Sequence, residues 1–381
     1  MNETNNSHKT VRLCHTADNH LRRSHLGTTA MSETFRKGFR AAIHKTIEVN
    51  GDALLICGDL LQSLTPTVED MMCLQDLHKE LVDARIPAYL IVGNHDYVIP
   101  HWGELLQRGY GEETGCGFIV LHNEARTVNG VRIFGSNAQS RDELITQLDE
   151  FSDVDDKPHV IMWHGMVKEF GDFGEEEKMS IYDFPDWVRF AALGDLHITD
   201  YRKNQRNGMV IGYPGSTEMC EASESPDKSI GVIDMTPEGV SAYTTEPIET
   251  RTYLNIKVRN AEDLEKAVLK IQRHEDENPV IMAEYVDDVE NALPRLKSAT
   301  AKPHIFRYRR VPAEVARHEA SNTGAEEITD LKTPEIIMNE LYQLRGAAHD
   351  MARALLRPEV DIHAELDNYM KRRKAELGID D

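Results

Sequence analysis

The chain has 381 residues and a formal net charge of −22, from 65 Asp and Glu against 43 Lys and Arg. That balance weighs against a simple nucleic-acid binder, because phosphate backbones are gripped by Lys and Arg; any such binding would have to rely on local basic groups, on metals or on a partner chain. No apolar run of about 18 residues occurs and Met1 to Thr10 is polar, so neither a membrane span nor a signal peptide is expected, and the protein reads as cytoplasmic. The five cysteines, Cys14, Cys57, Cys73, Cys116 and Cys220, form no Cys-x-x-Cys pair, which excludes a zinc ribbon or a disulfide framework; Cys14 and Cys57 read as small buried strand residues.

In chain order, Val11 to Cys14 is a strand-like run ending at Asp18-Asn19-His20. Ser32 to Val49 follows as a helix with Phe35, Phe39, Ile43 and Ile47 on one face. Ala53 to Cys57 is a second strand, closed by Gly58-Asp59, and Val68 to Ala84 a second helix with Met71, Leu74, Leu77 and Leu81 aligned. Ala88 to Val92 leads into Gly93-Asn94-His95-Asp96. This strand-helix alternation is the grammar of a sheet covered by helices. Shorter strands come next: Val131 to Phe134, Val160 to Met162 before Trp163-His164-Gly165, Phe190 to Leu193 before Gly194-Asp195-Leu196-His197, Val210 to Ile211 and Ser229 to Ile233. The expected architecture is a mixed β-sandwich with helices outside.

A second unit starts near Glu249. Tyr253 to Val258, Val280 to Tyr285 and Ile305 to Val311 read as strands, Ala261 to Ile271 and Val289 to Leu296 as helices, giving a small α/β domain over 249–311. The polar stretch 312–332 reads as a linker. From Thr333-Pro334 onwards Ile337, Leu341, Leu344, Ala348, Met351 and Leu355 form a helical stripe. Pro358 separates it from a last helix bearing Leu366, Tyr369, Met370 and Leu377 beside the basic cluster Lys371 to Lys374, so 333–381 is expected to be helical.

The polar motifs all fall at carboxyl ends of strands, the edge where open α/β sheets bind ligands. Carboxylates, imidazoles and an amide gathered there are a ligand set for two divalent cations, and such pairs of cations cleave phosphate esters. Asp59, with two oxygens, is the expected bridge; Asp18, His20 and His197 would complete one site, and Asn94, His164 and Asp195 the other. His95 is placed to protonate a leaving oxygen, with Asp96 orienting it. A single Gly-Asp pair is also ordinary turn chemistry. The weight lies in the order of all the motifs, each after a strand. His44, His78, His122 and His159 lack that context and read as surface or satisfied core residues.

Residues 11 to 235 resemble the calcineurin-like metallophosphoesterase superfamily, whose signature runs Asp-x-His, Gly-Asp, Gly-Asn-His-Asp/Glu, His, Gly-His-x-His. Within it the likeness is to the SbcD-type DNA-repair nuclease subunits, carried by His15-Thr16-Ala17-Asp18-Asn19-His20-Leu21, Ile91-Val92-Gly93-Asn94-His95-Asp96 and, as the discriminating segment, Tyr213-Pro214-Gly215-Ser216-Thr217-Glu218. The resemblance implies a nuclease domain at 1–248, a capping domain at 249–311, a manganese-dependent DNA exonuclease and endonuclease acting in repair, recombination or replication, a homodimer, and a carboxy-terminal region that docks on a coiled-coil SbcC-type ATPase. Where that family has Gly-His-x-His, this chain has Gly194-Asp195-Leu196-His197. A carboxylate can replace an imidazole as a ligand and suits hard cations such as Mn2+ or Mg2+. The alternative reading is a metallophosphodiesterase or phosphatase acting on small molecules or phosphoproteins, which the acidic charge favours. A non-enzymatic scaffold for the ATPase would not need so full a ligand set.

Overall fold

The apolar runs become buried strands because each carries side chains that have nowhere else to escape water. The computed structural model describes residues 9–21, 30–63, 66–95, 115–171, 178–221, 224–277, 279–302 and 305–313. Its first part holds β1 (Val11–Thr16), β2 (Ala53–Cys57), β3 (Pro87–Ile91), β4 (Gly117–Val120), β5 (Glu124–Val128), β6 (Val131–Gly135), β7 (Val160–His164), β8 (Phe190–Gly194), β9 (Thr199–Lys203), β10 (Val210–Pro214), β11 (Ser229–Thr236) and β12 (Gly239–Pro247). The helices between them are α1 (Ala30–Glu48), α2 (Val68–Ala84) and α3 (Arg141–Asp149).

Two six-stranded mixed sheets result, ordered β12-β11-β1-β2-β3-β4 and β5-β6-β7-β8-β10-β9. Leu13, Leu55, Ile91, Ile133, Met162, Phe190 and Ile233 interdigitate between them. Phe39, Ile43, Leu74, Leu77 and Leu81 of α1 and α2 cover the outer face of the first sheet, and Leu144 and Leu148 of α3 lie with Phe134, Trp163 and Tyr213 on the outer face of the second. Each fully buried Leu, Ile or Phe contributes roughly 1.5–3 kcal/mol of transfer free energy, so these three layers of apolar contact fix the sandwich. Parallel register aligns Thr16 with Ile56 and Cys57 with Ile91, and His164 with Gly194. The carboxyl ends of β1, β2 and β3 therefore share one edge, as do those of β7 and β8.

Helix α2 begins and ends on local chemistry: Thr67 and Asp70 form a reciprocal capping box, and Arg85 closes it in the left-handed conformation. Sequence periodicity does not single out β4, β5, β9, β12 or α3. Strand β12 is mostly exposed and shows no apolar alternation; its partner β11 and the tight turn joining Thr236 to Gly239 make it a strand. Helix α3 is a short acidic segment held by the Ser140 cap and two leucines.

A third sheet of three parallel strands, β13 (Tyr253–Val258), β14 (Val280–Val286) and β15 (Ile305–Val311), is crossed by α4 (Ala261–Arg273) and α5 (Ala292–Lys297). It has its own core of Leu254, Ile256, Leu264, Ile271 and Leu296. The helix expected from Val289 starts only at Ala292, after Asn291 in the left-handed conformation. Met31 and Phe35 of α1 meet Val280, Ile305 and Tyr253 of this sheet around Cys220, and the Tyr253 hydroxyl donates to Glu218 Oε1 at 2.9 Å. A division of the chain falls between Val311 and Pro312; the linker from 314 on and the helical region 333–381 lie outside the described residues. Among the described residues no helix is long and apolar enough to cross a membrane.

Glu218 is fully buried, and burial pushes its carboxyl up to about 6. Tyr253→Phe removes one donor from that buried carboxyl and should destabilise the protein by about 1–3 kcal/mol, read as a lower denaturant midpoint at unchanged slope. An unchanged midpoint would show that the Tyr253 hydroxyl contributes nothing to the joint.

Candidate metal centre

Each candidate ligand stands where a buried strand runs out. Beyond Thr16 the chain folds over the end of β2, with the Asp18 N–H donating to Gly58 O at 3.2 Å and the His20 N–H to Asp59 O at 2.9 Å. Asp18, His20, Asp59 and Asp195 take φ values of 51°, 45°, 51° and 101°. Non-glycine residues held there cost of order 1–3 kcal/mol each, tolerated where surrounding bonds over-determine the backbone. Gly194 is required sterically: a Cβ there would run into Cys57 O and lie 2.7 Å from His164 Nδ1. Only glycine lets β8 pass this close to β2.

Asp59 lies at the centre. Its Oδ2 is 3.8 Å from His20 Nε2 and 3.9 Å from His95 Nε2, and its Oδ1 is 3.6 Å from His164 Nε2. Two groups of donors share it, His20-Asp59-His95 and Asp18-Asp59-His164, each compact enough to surround one cation. His164 donates its Nδ1–H to Cys57 O at 2.8 Å, which leaves the Nε2 lone pair facing Asp59 and, at 3.8 Å, Asp195 Oδ1. That Nε2 is buried and has no hydrogen-bond partner among the described residues. Facing two carboxylates, this nitrogen needs a proton or a cation between them, and a buried nitrogen between oxygen donors is a position that a metal fits. His20 Nε2 and His197 Nε2 approach to 3.2 Å on the same side.

The electrostatics agree. Burial pushes Asp18 up to about 6, with Asp59 and Asp195 adding to it against the pull of His164 and His197; burial likewise raises Asp195. Burial opposes a charged His164, yet Asp18, Asp59 and Asp195 raise its pKa. His197 is raised too: burial works against the charge, and Cys220, Glu224 and Asp18 outweigh it.

The sequence-predicted residues therefore fall as follows. Asp18, His20, Asp59, His164, Asp195 and His197 converge, with Asp195 N–H also donating to both oxygens of Asp18 at 3.2 and 3.1 Å. Asn94 sits at the same strand end between Gly93 and His95, with an exposed side chain. His95 is drawn in by its backbone N–H, 2.9 Å from Asp59 Oδ1, while its ring Nδ1 lies 3.2 Å from both Gln62 O and Gln62 Nε2. Asp96 lies outside the described residues. Sequence reading missed Gln62, Cys220, Glu224 and Lys228. His20, His197 and Cys220 form a third close group, and Glu224 Oε1 accepts from His197 Nδ1 at 2.9 Å. None of these belongs to a motif; Gln62 follows Gly58-Asp59 by three residues, and Cys220 and Glu224 lie just beyond Tyr213-Pro214-Gly215-Ser216-Thr217-Glu218.

A raised pKa means a proton held above the group's ordinary range, and a cation must displace it to reach the donor. Binding of Mn2+ near neutral pH should therefore release protons, and affinity should strengthen as pH rises and fall as it drops through about 6, where Asp18 takes a proton. Calorimetry in buffers of different ionisation enthalpy checks this; proton-neutral binding at pH 6 to 7 would show that Asp18 is not a ligand.

Comparison with known proteins agrees with this geometry. The calcineurin-like phosphoesterase profile matches residues 11–199. The chain is similar to the DNA double-strand break repair protein Mre11 of Haloferax volcanii, 27% identical over 290 residues, covering 74% of this chain and 63% of that one. It is similar to the Mre11 protein of Methanococcus maripaludis at 25% over 361 residues, covering 88% and 94% of the two chains, and to that of Archaeoglobus fulgidus at 25% over 370 residues, covering 88% and 81%. The chain thus spans somewhat under two thirds of the Haloferax relative and nearly all of the Methanococcus one. With their motifs at the strand ends of a two-sheet sandwich, and with relatives at low identity among the Mre11 repair proteins, residues 11–199 form a calcineurin-like phosphoesterase domain.

Proposed function

We propose that the protein is a Mn2+-dependent DNA nuclease, a double-strand exonuclease and single-strand endonuclease, acting as the nuclease subunit of an SbcC/SbcD-type repair complex. The observation that carries the reading is Asp59, whose two carboxylate oxygens face His20 on one side and His164 on the other, as a bridge between two cations must. Asp18, His20 and His197 would hold one cation, Asn94, His164 and Asp195 the other. Oxygen and imidazole donors suit Mn2+, with Mg2+ as the second choice. Once bound, two such cations neutralise the phosphate and lower the pKa of the attacking water.

The chain's own residues supply the rest. Turns at the strand ends fix the donors on rigid elements, so little reorganisation accompanies reaction. His95 stands at the mouth with its ring 42% exposed, close enough to Asp59 to face the scissile phosphate and open enough to exchange protons with solvent. It donates a proton to the leaving oxygen. Gln62, whose backbone O and side-chain Nε2 both lie 3.2 Å from Nδ1, holds the ring by that nitrogen and leaves Nε2 turned to the site; Asp96 is the other candidate for that task.

DNA as the substrate rests on the similarity to Mre11 DNA double-strand break repair proteins and on the Tyr213 to Glu218 segment. The domain assignment is nuclease 1–248, cap 249–311, linker 312–332 and partner-binding region 333–381. The segment from Ile337 to Leu355, apolar at helical spacing in the sequence, would bind a coiled-coil ATPase, and the nuclease works as a homodimer inside the cell.

Pure protein with Mn2+ should degrade linear duplex DNA and lose that activity in chelator. Hydrolysis of a nitrophenyl phosphodiester with untouched DNA would favour the small-molecule reading, which the −22 charge supports; full nuclease activity in excess chelator would refute the metal mechanism.

His95→Asn should retain metal stoichiometry while turnover falls about 10²-fold or more, as for a lost general acid. Calorimetric loss of both metals would make His95 a ligand instead.

A further inference from the structure

Resting on the metal-centre reading above, we infer that Glu224, locked by Lys228, is a positioning residue that sets the tautomer and aim of His197. His197 has its Nε2 at the donor cluster, 3.2 Å from His20 Nε2, and its Nδ1 turned away to Glu224 Oε1 at 2.9 Å. A carboxylate can only accept this bond, so Nδ1 carries the proton and Nε2 presents its lone pair. A ring free to flip or to exchange tautomers would offer the wrong nitrogen.

Glu224 is itself held from every side. Its Oε2 accepts from Lys228 Nζ at 2.7 Å, Ser216 Oγ at 3.1 Å and the Cys220 N–H at 3.1 Å, and its Oε1 accepts a further bond from the Glu221 N–H at 3.1 Å. Lys228 Nζ also donates to Ser216 Oγ at 2.9 Å. The two charged side chains are nearly enclosed, at 9% and 4% exposure. A buried ion pair is weak as a source of stability, because desolvation offsets most of the attraction. Its orientation explains it better: the lysine neutralises and fixes the carboxylate, and the carboxylate fixes the imidazole. Ser216 belongs to the turn after β10, so the clamp ties His197 to a strand of the second sheet.

A loop anchor would use the same bonds, and metal affinity separates the two roles. Glu224→Gln keeps size and an acceptor oxygen but removes the charge. With Mn2+ as the probe in the full chain, calorimetry of folded Glu224→Gln should show one site weakened about 10–100-fold and the other unchanged. Lys228→Met should move the same site in the same direction. Unaltered affinities at both sites in the folded variants, beside a two-site wild type, would overturn the inference alone. A wild type that takes up no Mn2+ would overturn the metal-centre reading with it. Should the variants not fold, nitrogen NMR of the wild type saturated with diamagnetic Mg2+ decides: His197 must carry its proton on Nδ1, and a proton on Nε2 overturns the assignment.

Discussion

Three carboxylates, Asp18, Asp59 and Asp195, are gathered with the imidazoles of His20, His164 and His197 at one largely buried edge, and the rest of the molecule is arranged to hold them there. Like charges brought together out of water are costly, as the raised pKa values of Asp18 and Asp195 record. The arrangement persists because parallel pairing of β1, β2 and β3, and of β7 and β8, brings strand ends to one level, and because the two sheets lock through a dry layer of side chains. Separate the sheets, and Asp59 and His164 no longer meet. Cations are what such a cluster stabilises, and removing them should leave protons in their place.

Close approach makes the site, and small residues make the approach possible. Gly194 lets β8 pass against the Cys57 carbonyl, and that carbonyl in turn holds His164 by its Nδ1. The same device recurs at His197, with Glu224 in the carbonyl's place. In both rings one nitrogen is occupied so that the other is presented, which is how an imidazole is prepared for a cation before the cation arrives.

The small α/β unit shares this economy of contacts. Cys220 lies in the apolar joint between α1 and the third sheet, and in the close group with His20 and His197; Glu218, two residues earlier, accepts from Tyr253. One short segment after β10 therefore touches both the joint and the metal-facing histidine.

The sequence by itself determined the strands and helices with strong periodicity, such as β2 and α2, because a continuous apolar run or a stripe repeated every three to four residues has one way to be buried. It also marked most of the candidate site, since Asp18-Asn19-His20, Gly58-Asp59, Gly93-Asn94-His95 and Gly194 to His197 each combine turn-forming residues with carboxylate, amide or imidazole donors at a strand end. Tertiary structure alone decided what no local pattern encodes. Strand β12 exists because β11 offers it an edge, and α3 because two leucines find a core. Gln62 reaches His95, and Glu224 and Lys228 reach His197, only after distant segments are folded together. Candidate donors can be read from sequence because their chemistry is local; the residues that touch them from distant segments cannot, because those partners are chosen by packing.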